Sequence, residues 1–395
     1  MHKTVEPQQG GERIRWLSVG AAIASISVVG IAIGLGMPLL SLILEQRGYS
    51  ATLIGLNTAV AGIASLAAAP FAPPLATRFG VVPLMLSMII AGAVSFVLFY
   101  FALDFWMWFP LRAILHFALT VLFILSEFWI SASAPTHRRG LVLGIYATSL
   151  SLGFAAGPWI FAQVGSGGFE PFAIAFVLVL AAAVPVLLAR RESPRLSRGD
   201  STPSGFWRFI WAVPTATLAV LVFGAVETGG FALFPVYGGR IGYSEADAAL
   251  LLTMIGLGNV LLQIPIGMLS DHVRDRRLLL LVCGAVGLAG SLAIPLLAEG
   301  WHAMAAVLFV WGGVVAALYT VGLAHLGSRL SGADLAQANA AFVFCYGVGM
   351  VVGPQAVGAG IDLFGPQGFG WTLALFFGIF VLFTGGRMAL GASRS

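Results

Sequence analysis

The stretch RRESPRLSRGDSTPSG, from Arg190 to Gly205, decides how the chain is organised. It is the longest polar run in a sequence that is 59% hydrophobic and 9% charged, with a mean hydropathy of +0.97, and its Pro, Ser and Gly content is that of a linker. A soluble domain carries about 25% charged residues. This chain has too few to coat a globule, so its outer surface faces lipid. Its two cysteines, Cys283 and Cys345, sit within apolar runs and read as small hydrophobes, which excludes a disulfide scaffold.

Outward from the linker, each flank divides into six apolar stretches of the roughly 20 residues that a bilayer core requires. The sequence predicts spans over 17–44, 51–74, 81–102, 105–133, 140–163 and 169–189, then 209–237, 246–268, 278–298, 302–325, 337–360 and 369–386. They must be helices, because lipid offers no partner to free backbone groups, and the alternation of a membrane barrel is absent. The expected fold is an all-α integral membrane protein with twelve transmembrane helices in two pseudo-symmetric six-helix bundles. The bundles are residues 1–189 and 209–395, joined by a cytoplasmic linker at 190–208. The polar start, MHKTVEPQQGGERIRW, does not read as a cleavable signal.

The two flanks match in register. Gly157-Pro158 corresponds to Gly353-Pro354 at an offset of 196, Pro38 to Pro235 at 197, and Leu75-Ala76-Thr77 to Leu269-Ser270-Asp271 at 194. Such a constant offset indicates a duplicated six-helix unit. With the N-terminus cytoplasmic, 17 of the 20 Lys and Arg residues fall inside, among them Lys3, Arg13, Arg15, Arg78, Arg138, Arg139, Arg195, Arg198, Arg208, Arg329, Arg387 and Arg394. Only Arg47 and Arg240 fall outside, and Arg112 lies within a span. The positive-inside rule therefore puts both ends in the cytoplasm. The formal charge of +4 is explained by topology, so no nucleic-acid partner is expected.

Three motifs carry a family resemblance. Gly267-Met268-Leu269-Ser270-Asp271-His272-Val273-Arg274-Asp275-Arg276-Arg277 resembles the signature loop of the major facilitator superfamily, and Pro74-Leu75-Ala76-Thr77-Arg78-Phe79-Gly80 is a degraded copy in which Thr77 replaces the acid. Gly144, Gly153, Gly157 and Pro158 follow the fifth-helix pattern of that family's drug/proton antiporters, with Phe161-Ala162 in place of the final glycine pair. Arg112 stands where the family has an arginine in helix four. Ser126-Glu127-Phe128-Trp129 is similar to a poorly characterised bacterial branch, the YcaD-like transporters. The resemblance covers essentially the whole chain. It implies two parallel six-helix repeats, alternating access, and a cavity lined by helices one, four, seven and ten. It also implies a hinge role in exchange for Gly153, Gly157 and Pro158, and for Gly349, Gly353 and Pro354 of span eleven. Gly267, Asp271, Arg274, Arg276 and Arg277 would form a cytoplasmic gate that breaks when the cavity opens inward.

An ionisable side chain inside a span costs at least about 2.5–3.5 kcal/mol on insertion scales, which makes it a functional candidate. Of the 16 acids only Glu127 and Glu227 lie inside spans away from their ends, the others sitting in tails, loops or span ends, and either is suited to carry a coupling proton. At 100° per residue Arg112, His116 and Glu127 project at about 0°, 40° and 60° from one helix face. Arg112 and Glu227 share the outer half and are placed to meet across the two bundles. The leading expectation is that Glu227 carries the proton and that Arg112 competes with it when the two are close. A static ion pair, or a glutamate hydrogen-bonded to a neighbouring helix, remains the alternative. Glu127 is a second candidate for protons or a cationic substrate group, or it anchors its span end against Arg138 or Arg139. His116 is a candidate relay, and His325 reads as interfacial.

Trp129, Tyr146, Trp311, Tyr319 and Tyr346 suit an apolar pocket with polar tips; Asn259 and Gln263 either line it or bind helices together. The Gly153–Pro158 segment also serves plain close packing. There is no zinc-like ligand spacing and no phosphate-binding loop, so neither an enzyme nor an ATP-driven pump is expected, and no cofactor. The expected protein is a bacterial inner-membrane secondary transporter, multi-pass and monomeric. It would be powered by the proton gradient and export a small amphipathic organic compound. Proton-coupled uptake of a metabolite and lipid flipping on the same fold are the alternatives.

Overall fold

The computed structural model describes residues 16–134, 139–194 and 207–392. Linker residues 195–206 and the basic residues Lys3, Arg13, Arg15, Arg138, Arg195, Arg198 and Arg394 lie outside the described residues. Among the described residues twelve helices are long and apolar enough to cross a membrane. They are α1 (Trp16–Gln46), α2 (Ala51–Phe79), α3 (Val81–Phe101), α4 (Phe105–Ser133), α5 (Leu141–Val164) and α6 (Glu170–Leu188) in the first half. The second half has α7 (Pro214–Arg240), α8 (Glu245–His272), α9 (Arg276–Leu297), α10 (Trp301–Gly327), α11 (Gln337–Phe364) and α12 (Gln367–Leu390). Each matches one expected span within a few residues. The seventh differs most: Trp207–Ala212 is a separate short helix, broken at Val213. Pro214 disfavours helical geometry in the residue before it.

The turns repeat the duplication. Gly48-Tyr49-Ser50 and Gly242-Tyr243-Ser244 are 194 residues apart, and both glycines have φ near +90°, which a residue with a Cβ resists. Each serine then caps the next helix, Ser50 accepting from the amide of Leu53 and Ser244 from that of Asp247.

Helices α1, α2, α4 and α5 pack together with α3 and α6 outside them, and α7, α8, α10 and α11 repeat the arrangement with α9 and α12. The halves meet along two long seams, α2 on α11 and α5 on α8, with α1 against α7 between them. Small residues allow the seams to close. A Cβ on Gly55 would run into the carbonyl of Pro354, one on Gly358 into that of Ala51, and one on Gly256 into Ala155. Such sites replace the hydrophobic driving force that lipid removes.

The seams are not closed along their whole length. At the side opposite the basic loops, Arg240 donates from Nε to Glu45 Oε1 at 2.8 Å and from Nη2 to Oε2 at 3.3 Å, while its Nη1 lies 3.5 Å from Asp362. Asp362 also accepts from the amides of Ala51 and Thr52 and from the Thr52 hydroxyl. On the other seam Glu245 accepts from the amide and hydroxyl of Ser166 and from Gln46 Nε2. Toward the basic side, α5 and α8 part: Gly144 and Gly267 are in register with the Ala155–Gly256 contact, yet a Cβ on either would meet nothing within 4 Å. Among the described residues, every ion pair on that side stays within the second half. A crevice between the halves therefore opens toward the basic side.

The clasp should hold this state. Arg240→Ala leaves two carboxylates facing each other and removes a network worth about 1–2 kcal/mol by the scale of partly exposed pairs, a roughly 5- to 30-fold change in the ratio of closed to open. Spin labels at the exposed residues Met107 and Leu363, one per half on this side, should report longer separations in the variant. Unchanged separations would mean that the helix seams alone keep this end shut.

Candidate site in the inter-half crevice

Glu227 sits in mid-α7, with Phe223 and Phe231 one turn to either side, and all three line one small cavity. The other walls are Phe154 of α5, Ile255, Gly256 and Asn259 of α8, and Trp311, Gly312, Val315 and Ala316 of α10. Phe154 comes from the first half and meets Phe231 edge-on, with centroids 5.2 Å apart. The cavity measures about 30 Å³, room for about a water molecule or two by the usual criterion. Glu227 therefore faces the crevice between the halves.

Its carboxylate has one hydrogen-bond donor: Tyr346 of α11 donates to Oε2 at 2.7 Å. No ion pair reaches Glu227 among the described residues. Tyr346 is fixed in turn by Phe223, stacked at 5.7 Å, and by Tyr319, edge-on at 6.1 Å. Asn259 turns its Oδ1 inward with no partner, and Gln263 follows one turn along the same helix. Trp311 donates its indole N–H to Ser291 Oγ at 3.1 Å, so it presents a ring with its polar atom already satisfied. Of the expected pocket residues, Asn259, Trp311, Tyr319 and Tyr346 thus gather around Glu227.

Two of the expected pocket residues lie elsewhere. Trp129 is wholly buried inside the first half. Two residues turn a helix by about 200°, so if Glu127 faces the crevice Trp129 faces the core. Tyr146 is a tie between helices, its hydroxyl 2.8 Å from Ser126 Oγ on α4.

Arg112 is completely buried in α4, and none of its three guanidinium nitrogens has a protein partner. His116, one turn along, is 4% exposed and within its electrostatic field. In this conformation Arg112 and Glu227 are not paired. Glu127 is exposed and its charge reaches the hydroxyls of Tyr146 and, across the crevice, of Tyr319. Of the three, Glu127 is exposed, whereas Arg112 and His116 of the same helix are enclosed.

The expected hinge glycines are packing sites. Gly153 and Gly157 interlock with Gly30 and Gly34 of α1, and Pro158 Cδ lies against Gly34. Gly349 and Gly353 repeat this against Leu221 and Ala225 of α7, and helix continues through both prolines. Because the Pro354 carbonyl also touches the Gly55 position of α2, this segment joins three helices from two halves.

In the signature loop, Arg276 bonds Ser270 Oγ at 3.2 Å and lies 3.5 Å from Asp271, and Arg277 clamps Asp275. That hydrogen bond holds the Asp275 carboxyl below the usual carboxylate range. Arg274 and Asp271 are exposed. Every one of these bonds stays in the second half. Sequence reasoning missed the contacts that join the halves at the other side, through Glu45, Arg240, Asp362 and Glu245. The available signal was Arg240 itself, one of two cations assigned to that side and surrounded by acids at span ends. Phe154 was missed although it directly follows Gly153.

Comparison with known proteins agrees with this architecture. The sequence model described as the Major Facilitator Superfamily matches residues 22–254 and 240–390. A Bacillus subtilis (strain 168) protein described as the uncharacterized MFS-type transporter YfkF is 29% identical over 84% of this chain and 86% of its own. The uncharacterized MFS-type transporter YcaD of Escherichia coli O6:K15:H31 is 25% identical over 64% of this chain and 65% of its own. Among solved structures, the nucleoside transporter NupG superposes with a TM-score of 0.75 at 14% identity, covering 94% of this chain and 98% of that one. An inward-facing, unoccupied bacterial homologue of the lysosomal transporter Spinster superposes at 0.73 with 15% identity, over 95% and 96%.

Two glycine substitutions separate packing from gating. Gly153→Val drives a side chain into the Ser27 carbonyl and α1 and should destabilise the protein by about 1–3 kcal/mol, the usual cost of overpacking. Gly267→Ala meets open space in this state and should leave stability within about 0.5 kcal/mol. Thermal unfolding in detergent measures both; equal losses would place Gly267 in a packed seam.

Proposed function

The chain belongs to the Major Facilitator Superfamily, and on that premise we propose that it couples proton entry to export of a small amphipathic organic compound, with Glu227 as the proton-carrying group. It is a membrane transporter rather than an enzyme. The observation that carries the reading is the state of Glu227: a carboxylate inside a span, lining the crevice, with a single tyrosine donor and no counter-ion among the described residues. A buried carboxylate left without a cation is costly. Either a proton or a cationic substrate group relieves that cost, and one site that takes either, but not both, is the logic of exchange.

The walls support the substrate class. Phe154, Phe223, Phe231 and Trp311 offer ring faces, and Asn259 Oδ1 and the second oxygen of Glu227 offer acceptors. This suits an aromatic or aliphatic body carrying a donor or a cation. Since Phe154 and Ile255 belong to different halves, the site is completed or dismantled as the halves rock. The basic side, by its Lys and Arg content, is assigned to the cytoplasm of a bacterial inner membrane, so the described state faces inward. Arg112 is the fixed cation of the first half, and it is not paired with Glu227 in this state. Glu127, at the crevice surface, is read as an entry point for cations.

The test is a panel of amphipathic amines offered to proteoliposomes with an imposed pH gradient and an internal pH dye. A transported amine should release or take up protons with the wild-type protein, and Glu227→Gln should reduce gradient-driven transport at least ten-fold. Glutamine keeps an acceptor for Tyr346, so the thermal transition should stay within a few degrees. Glu127→Gln should cost less, about two- to five-fold. Gradient-driven transport that survives Glu227→Gln would remove Glu227 from the coupling mechanism.

A further inference from the structure

A second cavity, of about 480 Å³, lies far from the Glu227 site, at the side opposite the basic loops and within the first half. It is bounded by the last turn of α1, the end of α3 and the start of α6. Its walls combine aromatic rings, Tyr100, Phe101 and Phe172, with the polar residues Gln46, Arg47 and Ser166. We propose that this cleft binds a membrane glycerophospholipid, its phosphate diester on Arg47 and the start of its acyl chains on the ring wall, and that occupancy favours the closed clasp beside it.

Arg47 is exposed but held in place. Its guanidinium lies 5.0 Å from the Trp108 ring centroid, and Nη1 donates to the Ala102 carbonyl at 2.9 Å. Nε and Nη2 have no hydrogen-bond partner among the described residues. A guanidinium fixed on one edge and open on the other suits bidentate binding of a phosphate. The carboxylate of nearby Asp104 accepts from the amide of Trp106, and among the described residues it makes no ion pair with Arg47.

The rim says that the occupant comes from the bilayer. Tyr100, Phe101, Phe169 and Phe172 form one cluster with centroids 5.1–6.4 Å apart, beside Phe101 at 65% and Leu103 at 81% exposure. These residues close the ends of α3 and α6, the peripheral helices, and aromatic rings at span ends mark the headgroup level. A water-soluble anion would not need that apolar rim, whereas a lipid uses both parts of the cleft at once.

The floor connects the cleft to the gate. Gln46 donates from Nε2 to Ser166 Oγ at 2.9 Å and to Glu245 Oε1 at 2.7 Å, and Ser166 donates its amide and hydroxyl to Glu245. Gln46 and Ser166 therefore form a wall of the cleft and the first-half side of the α5–α8 contact. A headgroup packed on them restricts the rotamers that would release Glu245, and a ligand that prefers one state shifts the population toward it.

Delipidated protein should retain phosphatidylglycerol in native mass spectrometry, with little retention of diacylglycerol, which lacks the phosphate. Arg47→Gln should weaken retention about ten-fold, the worth of a charge-assisted hydrogen bond, while Arg47→Lys, which keeps the charge but loses the bidentate fork, should weaken it less than Arg47→Gln does. Tyr100→Ala, which leaves the Arg47–Trp108 contact intact, should weaken retention without unfolding the chain. With labels at Met107 and Leu363, phosphatidylglycerol should shift the distances toward the shorter population, and Gln46→Ala should keep the binding but lose the shift. Retention that is equal in wild type and Arg47→Gln, or displacement by glycerol phosphate at equal concentration, would overturn the lipid site. Binding with no change in distance would overturn its link to the gate.

Discussion

The clasp of Arg240 on Glu45 and Asp362 joins the two halves at the side opposite the basic loops, and the crevice that holds the site opens away from it. Its members come from the ends of α7, α1 and α11, so one guanidinium ties three helices from both halves. The pairs are about a quarter exposed, and such pairs contribute little individually. That weakness suits a contact that can be broken and remade. A fully buried, well-paired network would hold the state by too much for a substrate or a proton to reverse.

The clasp also shows what duplication supplies. Glu45 and Arg240 are 195 residues apart, within one position of the 194-residue repeat of the neighbouring turns, and they meet with opposite charges. Asp362 and Ser166 are 196 apart. In one seam the acid at the end of α11 receives amides from the start of α2; in the other the acid at the start of α8 receives the amide at the end of α5. The two seams close by the same chemistry with the carboxylate moved to the other partner, so neither half could form such contacts with an identical copy of itself.

The sequence made the fold legible because lipid imposes a strict length and a strict need for helix, and because Pro and Gly landmarks repeat at a constant offset. It made Glu227, Arg112 and Glu127 legible because a charge in a span stands out against an apolar background. Trp129 and Tyr146 were misplaced for a related reason: in a chain with 29 Phe, 10 Trp and 7 Tyr, an aromatic is not distinguished by its type, and only helical angle separates core from crevice. The clasp stayed hidden because charges at span ends are ordinary, and nothing local says that Glu45 faces Arg240. Gly48-Tyr49-Ser50 and Gly242-Tyr243-Ser244 were visible as a repeat, and aligning them brings the charged ends of α1 and α7, with Glu45 and Arg240, within one position of each other.

The remaining charges follow one pattern. The first half encloses a cation, Arg112, with no protein acceptor, and the second half holds an acid, Glu227, with only a hydroxyl donor. Each is under-compensated within its own half. In a medium of low effective dielectric a pair of charges interacts strongly over several ångströms, so any motion that changes their separation changes the energy of the conformation. On the reading proposed above, protonating Glu227 would remove that dependence and so let a proton select among conformations. The clasp would then hold one state, and the unmatched charges would give a proton a way to change it.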